Sequence, residues 1–151
     1  MFLTVHSAVG MAIASRIDDP VAVFVLAVAS HYILDSIPHG DDNLVDKSLP
    51  ELIRRRKLTR IFMVEVVLVL VLGFFILTKV PINPVYMWLA VLGAMLPDIL
   101  WGVHSVVKWR WLEPHNRFHN LVHNPLKIII SLRKGLILQA IALVLIISFI
   151  L

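Results

Sequence analysis

Histidines and carboxylates at four-residue spacing interrupt an otherwise apolar part of this chain. His31 and Asp35 lie one helical turn apart, and His39 follows a proline that ends the helix. Residues four apart share one face of a helix, so the first two side chains point in one direction. Asp41 and Asp42 come next and are two further candidate ligands. Imidazole and carboxylate groups bind divalent transition metals, and the chain has no cysteine to supply a thiolate.

A second group of histidines lies nearer the carboxyl end of the chain. Three of them recur every four residues: His115, His119 and His123. Glu113-Pro114 predicts a helix start before them, and Asn124-Pro125 predicts a stop. Each histidine is displaced by about 40° from the last around a helix, so the three form one stripe, a familiar metal-binding arrangement. The alternative is an amphipathic helix that faces lipid headgroups. Arg117, within this run, is a candidate for holding a substrate phosphate.

Four more polar residues stand alone in apolar surroundings. Asp98 follows Pro97, which kinks a helix, and a membrane helix tolerates such a break where it faces protein or a cavity. Asp98 is therefore a candidate buried ligand. Glu65 is a candidate general base, or a partner to a histidine or a loop arginine. His6 lies among small residues, which predicts a place inside the bundle and a role as a ligand. His104 is off the face of Asp98 and is predicted to be interfacial.

The composition is typical of a membrane protein. Of 151 residues, 59% are hydrophobic and only 16% are charged. We predict a single membrane-embedded domain, residues 1–151, that forms an all-α polytopic bundle with four to five membrane helices and a short interfacial helix carrying histidines. The apolar segments, of which the first is too short to cross comfortably, are Phe2–Ser15, Val21–Ile37, Ile61–Thr78, Val85–Val107 and Gly135–Leu151.

The positive charges predict an orientation in the membrane. If all five segments cross, twelve of the fourteen Lys and Arg residues fall on the side of Met1, and only Arg16 and Lys79 fall on the other. Cationic loops stay in the cytoplasm, so we predict an integral protein of the cytoplasmic membrane with a cytoplasmic N-terminus and an external C-terminus. The histidines then gather at the cytoplasmic face. The net charge of +4 is accounted for by these cationic loops. We predict no nucleic-acid partner, because the chain has no nucleic-acid-binding motif.

In its motifs the chain resembles the membrane-bound metal-dependent hydrolases, small polytopic proteins of bacteria and archaea. Matching elements occur in order over most of the chain: Thr4-Val5-His6-Ser7 with Gly10, Leu96-Pro97-Asp98, and the histidine run from His115 to His123. Leu100 stands where the family commonly has a second acid. The His31-x3-Asp35 element is also faintly similar to the His-x3-Asp element of zinc-dependent phospholipase C and related nucleases. The resemblance implies a helical membrane enzyme with a metal-dependent hydrolytic activity.

We therefore predict a hydrolase that acts at the cytoplasmic membrane face on a phosphoester of a lipid or lipid-linked substrate, by metal-activated water. The first-ranked ligands are His31, Asp35, Asp98, His119 and His123, followed by His6, His39 and His115. The catalytic candidates are Asp35, Asp98 and Glu65. One or two ions are expected, zinc or otherwise manganese, iron or nickel. Two alternatives stay open: a non-catalytic metal-binding, sensing or transport protein, and haem binding through two axial histidines.

Overall fold

The computed structural model describes residues 1–40, 48–123, 125–126 and 128–151. All regular structure in these ranges is helical, which confirms the predicted all-α class. The helices are α1 Leu3–Ala14, α2 Pro20–Asp35, α3 Glu51–Lys79, α4 Pro84–Val107, α5 Glu113–Val122 and α6 Leu132–Ile150, with one 3-10 turn, Arg110–Leu112, before α5. The candidate ligands Asp41 and Asp42 lie outside the described residues.

Three helices are long and apolar enough to cross a membrane: α3, α4 and α6. α1 has 12 residues and α2 has 16, fewer than the roughly 20 that a perpendicular crossing needs. The chain thus has the composition of a membrane protein and three long candidate spans. α3 begins at Glu51, well before the apolar segment predicted from Ile61. Its first turns carry the basic run Arg54–Lys57, which is not part of an apolar segment.

Local sequence signals account for several helix boundaries. α2 and α4 begin at Pro20 and Pro84, at the first helical position, where a missing N–H costs no hydrogen bond. The residues before them, Asp19 and Asn83, each accept a hydrogen bond from a backbone N–H of the first turn. α4 ends at Val107, and the next residue, Lys108, adopts the left-handed conformation with φ of 59°.

α1 is the central helix of the bundle and contacts α2, α3, α4 and α6. Its small residues permit this: a methyl group added at Gly10 would lie 2.9 Å from the carbonyl oxygen of Ala90 in α4, too close for a carbon–oxygen contact. α2 approaches α4 in the same way, at Gly93 against the carbonyl oxygen of Phe24. His6 is completely buried, which confirms its predicted place inside the bundle.

Contacts between α1 and α6 define the two ends of the bundle. At one end the Phe2 backbone N–H donates to Gln139 in α6, with 2.7 Å between nitrogen and Oε1. At the other end the Arg16 guanidinium donates to the carbonyl oxygen of Phe149 at 3.2 Å. The two helices therefore run parallel. α2 finishes at the first end with Asp35, so the polar residues of several helices meet there.

Candidate metal centre

Four side chains from three helices converge at this end of the bundle, and we call them the histidine–aspartate cluster: His31 and Asp35 of α2, Asp98 of α4 and His119 of α5. The Nε2 of His31 lies 3.2 Å from Asp35 Oδ2, 3.8 Å from Asp98 Oδ1 and 3.4 Å from His119 Nε2. The Nε2 of His119 lies 3.7 Å from Asp35 Oδ2 and 3.2 Å from Asp98 Oδ1. Tetrahedral ligands with bonds of about 2.0–2.1 Å stand about 3.3 Å apart. These five distances between nitrogen and oxygen atoms of the cluster are therefore close to the distances between ligands in a tetrahedral metal site.

A backbone carbonyl fixes which nitrogen His31 presents to the cluster. Its Nδ1 lies 2.8 Å from the carbonyl oxygen of Ala94. Because a carbonyl only accepts, Nδ1 carries a hydrogen, and in the tautomer with that single ring hydrogen Nε2 turns a lone pair toward Asp35. The Oδ2 atom of Asp35 is buried and has no hydrogen-bond donor. Two acceptors that face one another away from water are satisfied by a cation between them.

Asp35 also belongs to a second set of possible ligands, the His39 group, which consists of Asp35, His39 and His123. The Nε2 of His39 lies 3.9 Å from Asp35 Oδ1, and its Nδ1 donates to the carbonyl oxygen of Ile37 at 2.6 Å. The rings of His39 and His123 meet nearly at right angles, with 4.8 Å between centroids. The Met1 nitrogen lies 2.6 Å from both Asp35 Oδ1 and His39 Nε2. The two sets thus meet at opposite oxygens of one carboxylate.

Two further predicted ligands, His6 and His115, lie beside the histidine–aspartate cluster. The ring of His6 stacks on His31 with 4.1 Å between centroids, and its Nε2 lies 3.0 Å from Asp35 Oδ1. The Nε2 of His115 lies 3.3 Å from the Tyr32 hydroxyl. Burial lowers the pKa of His115 below its ordinary value, so its ring is neutral at physiological pH and available to a metal or a hydrogen-bond donor.

Three other polar residues make contacts of a different kind. Glu65 accepts hydrogen bonds from the backbone N–H of Thr4 at 2.9 Å and from its hydroxyl at 2.7 Å, so it joins α3 to the first turn of α1. Arg117 pairs with Glu113 at 2.9 Å, and 78% of its side chain is exposed. His104 also pairs with Glu113, at 3.0 Å. The described contacts of Glu65 are those of a residue that positions α1, and those of Arg117 lie on the exposed side of α5.

α5 begins at Glu113, which confirms the predicted start, and ends at Val122. His123 therefore lies just beyond the helix instead of continuing the stripe, and this explains its place in the His39 group. Trp101 of α4 helps to hold α5 over the cluster. Its indole stacks on His119 with 6.1 Å between centroids, and its N–H donates to Asn120 at 3.1 Å.

Gln139 of α6 orders the backbone at the site, although the sequence analysis did not single it out. Its Oε1 accepts from the Phe2 N–H at 2.7 Å, and its Nε2 donates to the carbonyl oxygen of His39 at 2.9 Å. The residue is only 3% exposed. The sequence signal that could have identified Gln139 is a lone amide in an apolar segment, because a buried polar side chain in a membrane helix needs a partner. One turn earlier, Gly135 lets the His39 carbonyl lie directly against α6.

We expect Gln139→Leu to lower the free energy of unfolding by about 1–3 kcal/mol, because it leaves the Phe2 N–H and the His39 carbonyl buried without their partner. Unfolding in mixed micelles, followed by circular dichroism, measures the loss. Ser148→Leu is the matched control, since it introduces the same side chain at an exposed polar position of the same helix. Equal stability of the two variants would contradict the assignment of Gln139.

No family model, curated protein or solved structure matches this chain. The fold and the site nevertheless define a class: a helical protein with three candidate membrane spans and buried groups of histidine and aspartate that could hold a metal ion. The cluster is nearly closed, with His31, Asp35 and His119 at most 5% exposed in their side chains, and it reaches the surface through Asp98, which is 25% exposed.

Proposed function

We propose that this chain is a membrane-embedded, metal-dependent hydrolase that cleaves a phosphoester of a lipid at the cytoplasmic membrane face. The observation that carries the proposal is the set of five distances between 3.2 and 3.8 Å that links four nitrogen and oxygen atoms of the cluster. These distances and donors suit zinc, with manganese, iron or nickel as the alternatives. The motif resemblance to the membrane-bound metal-dependent hydrolases points in the same direction.

In this proposal, the four residues of the histidine–aspartate cluster have different roles. His31, Asp35 and His119 hold the ion, because their side chains are buried. Asp98 lies at the more exposed edge of the cluster, beside the position that water and substrate would take, and does not itself hold the ion. An ion held by these three residues would supply a fourth position for water, a lowered pKa of that water of about 7, and polarisation of the phosphoryl oxygen. Asp98 accepts the proton of the water as its oxygen attacks phosphorus, and the departing alkoxide takes a proton from solvent.

The placement of the cluster within the bundle supports a lipid substrate. Asp98 lies inside α4, one of the three long apolar helices, so a substrate reaches it from within or beside the membrane. In the proposed topology α1 and α2 also cross, the N-terminus is cytoplasmic and the C-terminus is external. The excess of Lys and Arg on the side of Met1 supports this orientation, in which the cluster would lie at the cytoplasmic face, at the depth of lipid headgroups.

Elemental analysis and a turnover assay on the purified full chain test this function together. We expect bound metal in the wild type and release of phosphate-containing headgroup from phospholipid vesicles. Asp98→Asn is expected to keep the metal and to lower turnover about 10²–10⁴-fold, the usual contribution of a proton acceptor. Asp18→Asn, at an exposed position, is the matched control. Metal without turnover of any lipid phosphoester would instead identify a metal-binding or transport protein, and absence of metal would overturn both.

A further inference from the structure

A basic cavity lies beside α5, where α4 ends and the 3-10 turn begins. Its volume is about 360 Å³, and its lining residues are His104, Lys108, Arg110, Glu113 and Arg117. Three of these side chains are cationic and one is anionic. Glu113 is engaged from two sides, by His104 at 3.0 Å and by Arg117 at 2.9 Å. The lining thus carries a net positive charge of about two, which is complementary to a phosphate group.

The backbone at Lys108 is a second, independent feature of this cavity. Lys108 has φ of 59° and is the non-glycine residue with positive φ in the part of the chain that the structure describes. Glycine takes this helix-ending conformation without strain, whereas a lysine is strained there. Backbone strain of this kind is concentrated at binding and functional sites, where the side chain is put to use. Lys108 is one of the residues that line the cavity.

The aromatic residues next to the cavity indicate its depth in the membrane. Trp109 and Trp111 stack on each other with 5.8 Å between centroids, and they are 48% and 68% exposed. Exposed tryptophans at the end of a membrane helix lie among lipid headgroups. From these observations we propose that the basic cavity binds the phosphate headgroup of an anionic phospholipid.

This lipid site is separate from the histidine–aspartate cluster and does not rest on the proposed hydrolase. Arg117 and His119 are two residues apart on α5, so their side chains leave the helix on nearly opposite sides. His119 faces the buried cluster, whereas Arg117 lines the cavity. The bound lipid anchors the outer face of α5, and its phosphate is not positioned for reaction. In this proposal Arg117 binds the phosphate of an anchoring lipid, whereas the sequence predicted that it binds the phosphate of a substrate.

Lipid titration of the full chain in neutral detergent tests the site, with bound lipids counted by native mass spectrometry. We expect phosphatidylglycerol to bind more tightly than phosphatidylcholine. Each Lys or Arg contributes about fivefold in affinity near a headgroup. The triple substitution Lys108→Gln, Arg110→Gln and Arg117→Gln should therefore weaken phosphatidylglycerol binding on the order of 100-fold. The matched control removes equal charge from α3: Arg56→Gln, Lys57→Gln and Arg60→Gln. Equal losses in the two variants would mean diffuse attraction and overturn the proposal.

Two single variants separate binding from folding. Lys108→Gly relieves the left-handed strain, so we expect unchanged or higher thermal stability together with about fivefold weaker phosphatidylglycerol binding. Glu113→Gln removes the negative charge among the described lining residues and should strengthen binding severalfold. Unchanged lipid affinity in Lys108→Gly, or weaker binding in Glu113→Gln, would overturn the site.

Two further arms identify the ligand and separate this inference from the proposed function. Millimolar inorganic phosphate should leave the lipid bound, whereas displacement would identify free phosphate as the ligand and overturn the lipid assignment. Asp35→Asn, which alters the buried cluster and the His39 group but no residue that lines the cavity, should keep the lipid preference of the wild type. Loss of that preference would show that the two sites are one and contradict their separation.

Discussion

Asp35→Asn is expected to weaken metal binding more than ~100-fold, the largest effect of any single substitution in the histidine–aspartate cluster. Loss of a residue that only supports a ligand typically costs ~10–100-fold in affinity, and Asp35 is itself in ligand position. Its Oδ2 faces His31 and His119, while its Oδ1 faces His39. Both sets of possible ligands therefore lose their shared carboxylate, and the asparagine supplies neither the charge nor the second oxygen.

Thermal unfolding with and without zinc measures this effect in the intact protein. A ligand at 100 times its dissociation constant stabilises the folded state by about 2.7 kcal/mol, so the wild type should melt at a higher temperature when zinc is added. Asp35→Asn should show little or no zinc-dependent shift. Asp18→Asn, at an exposed position, should behave as the wild type. A wild-type zinc response in Asp35→Asn would show that Asp35 is not a ligand and would contradict the assignment of the cluster as a metal centre.

Gly135→Ala is expected to lower the free energy of unfolding by about 1–3 kcal/mol. It should also displace His39 from the other residues of the His39 group. A methyl group at this position would overlap the carbonyl group of His39, a backbone atom pair that cannot rotate away like the end of a side chain. Either α6 or the segment carrying His39 must move. Movement of this segment also breaks the hydrogen bond from Gln139 to the same carbonyl.

Gly102→Ala is the matched control for this prediction. A methyl group at Gly102 meets no atom within 4 Å apart from the neighbouring backbone of its own helix, and the position lies inside α4. The same substitution there should stabilise the helix by up to about 1 kcal/mol, because alanine is the better helix former. Unfolding in mixed micelles should therefore separate the two variants in opposite directions from the wild type. Similar stabilities would show that α6 does not approach His39 closely.

The parts of the site that could be predicted from sequence are those set within one helix. His31 and Asp35 share a face because four residues make about one turn, and this holds wherever the helix is packed. The same local logic predicted the α5 start at Glu113-Pro114 and the end of α2 ahead of Pro38. Apolar composition predicted the membrane class. Each of these properties depends on the backbone and on neighbours a few residues away.

The choice among the histidines could not be predicted in this way. His115, His119 and His123 have equal spacing, yet His119 joins the cluster, His115 contacts Tyr32, and His123 lies beyond the helix end. The end of α5 at Val122 decides the place of His123, and the rotation of α5 about its axis decides between His115 and His119. That rotation depends on how α5 packs against α4 and α2. A sequence period cannot specify it, because all rotations of one helix have the same local hydrogen bonds.

The sequence by itself therefore determined that the chain is helical and apolar, that His31 and Asp35 lie one turn apart, and that the histidines of α5 recur at the same spacing. Only the tertiary structure decided that Asp35 is shared between two groups, that Glu65 holds α1 through Thr4, and that Gln139 reaches His39 across the bundle. These contacts join residues far apart in the chain. They depend on how closely helices approach at Gly10, Gly93 and Gly135, and interhelical distance and rotation are set by packing of the whole bundle.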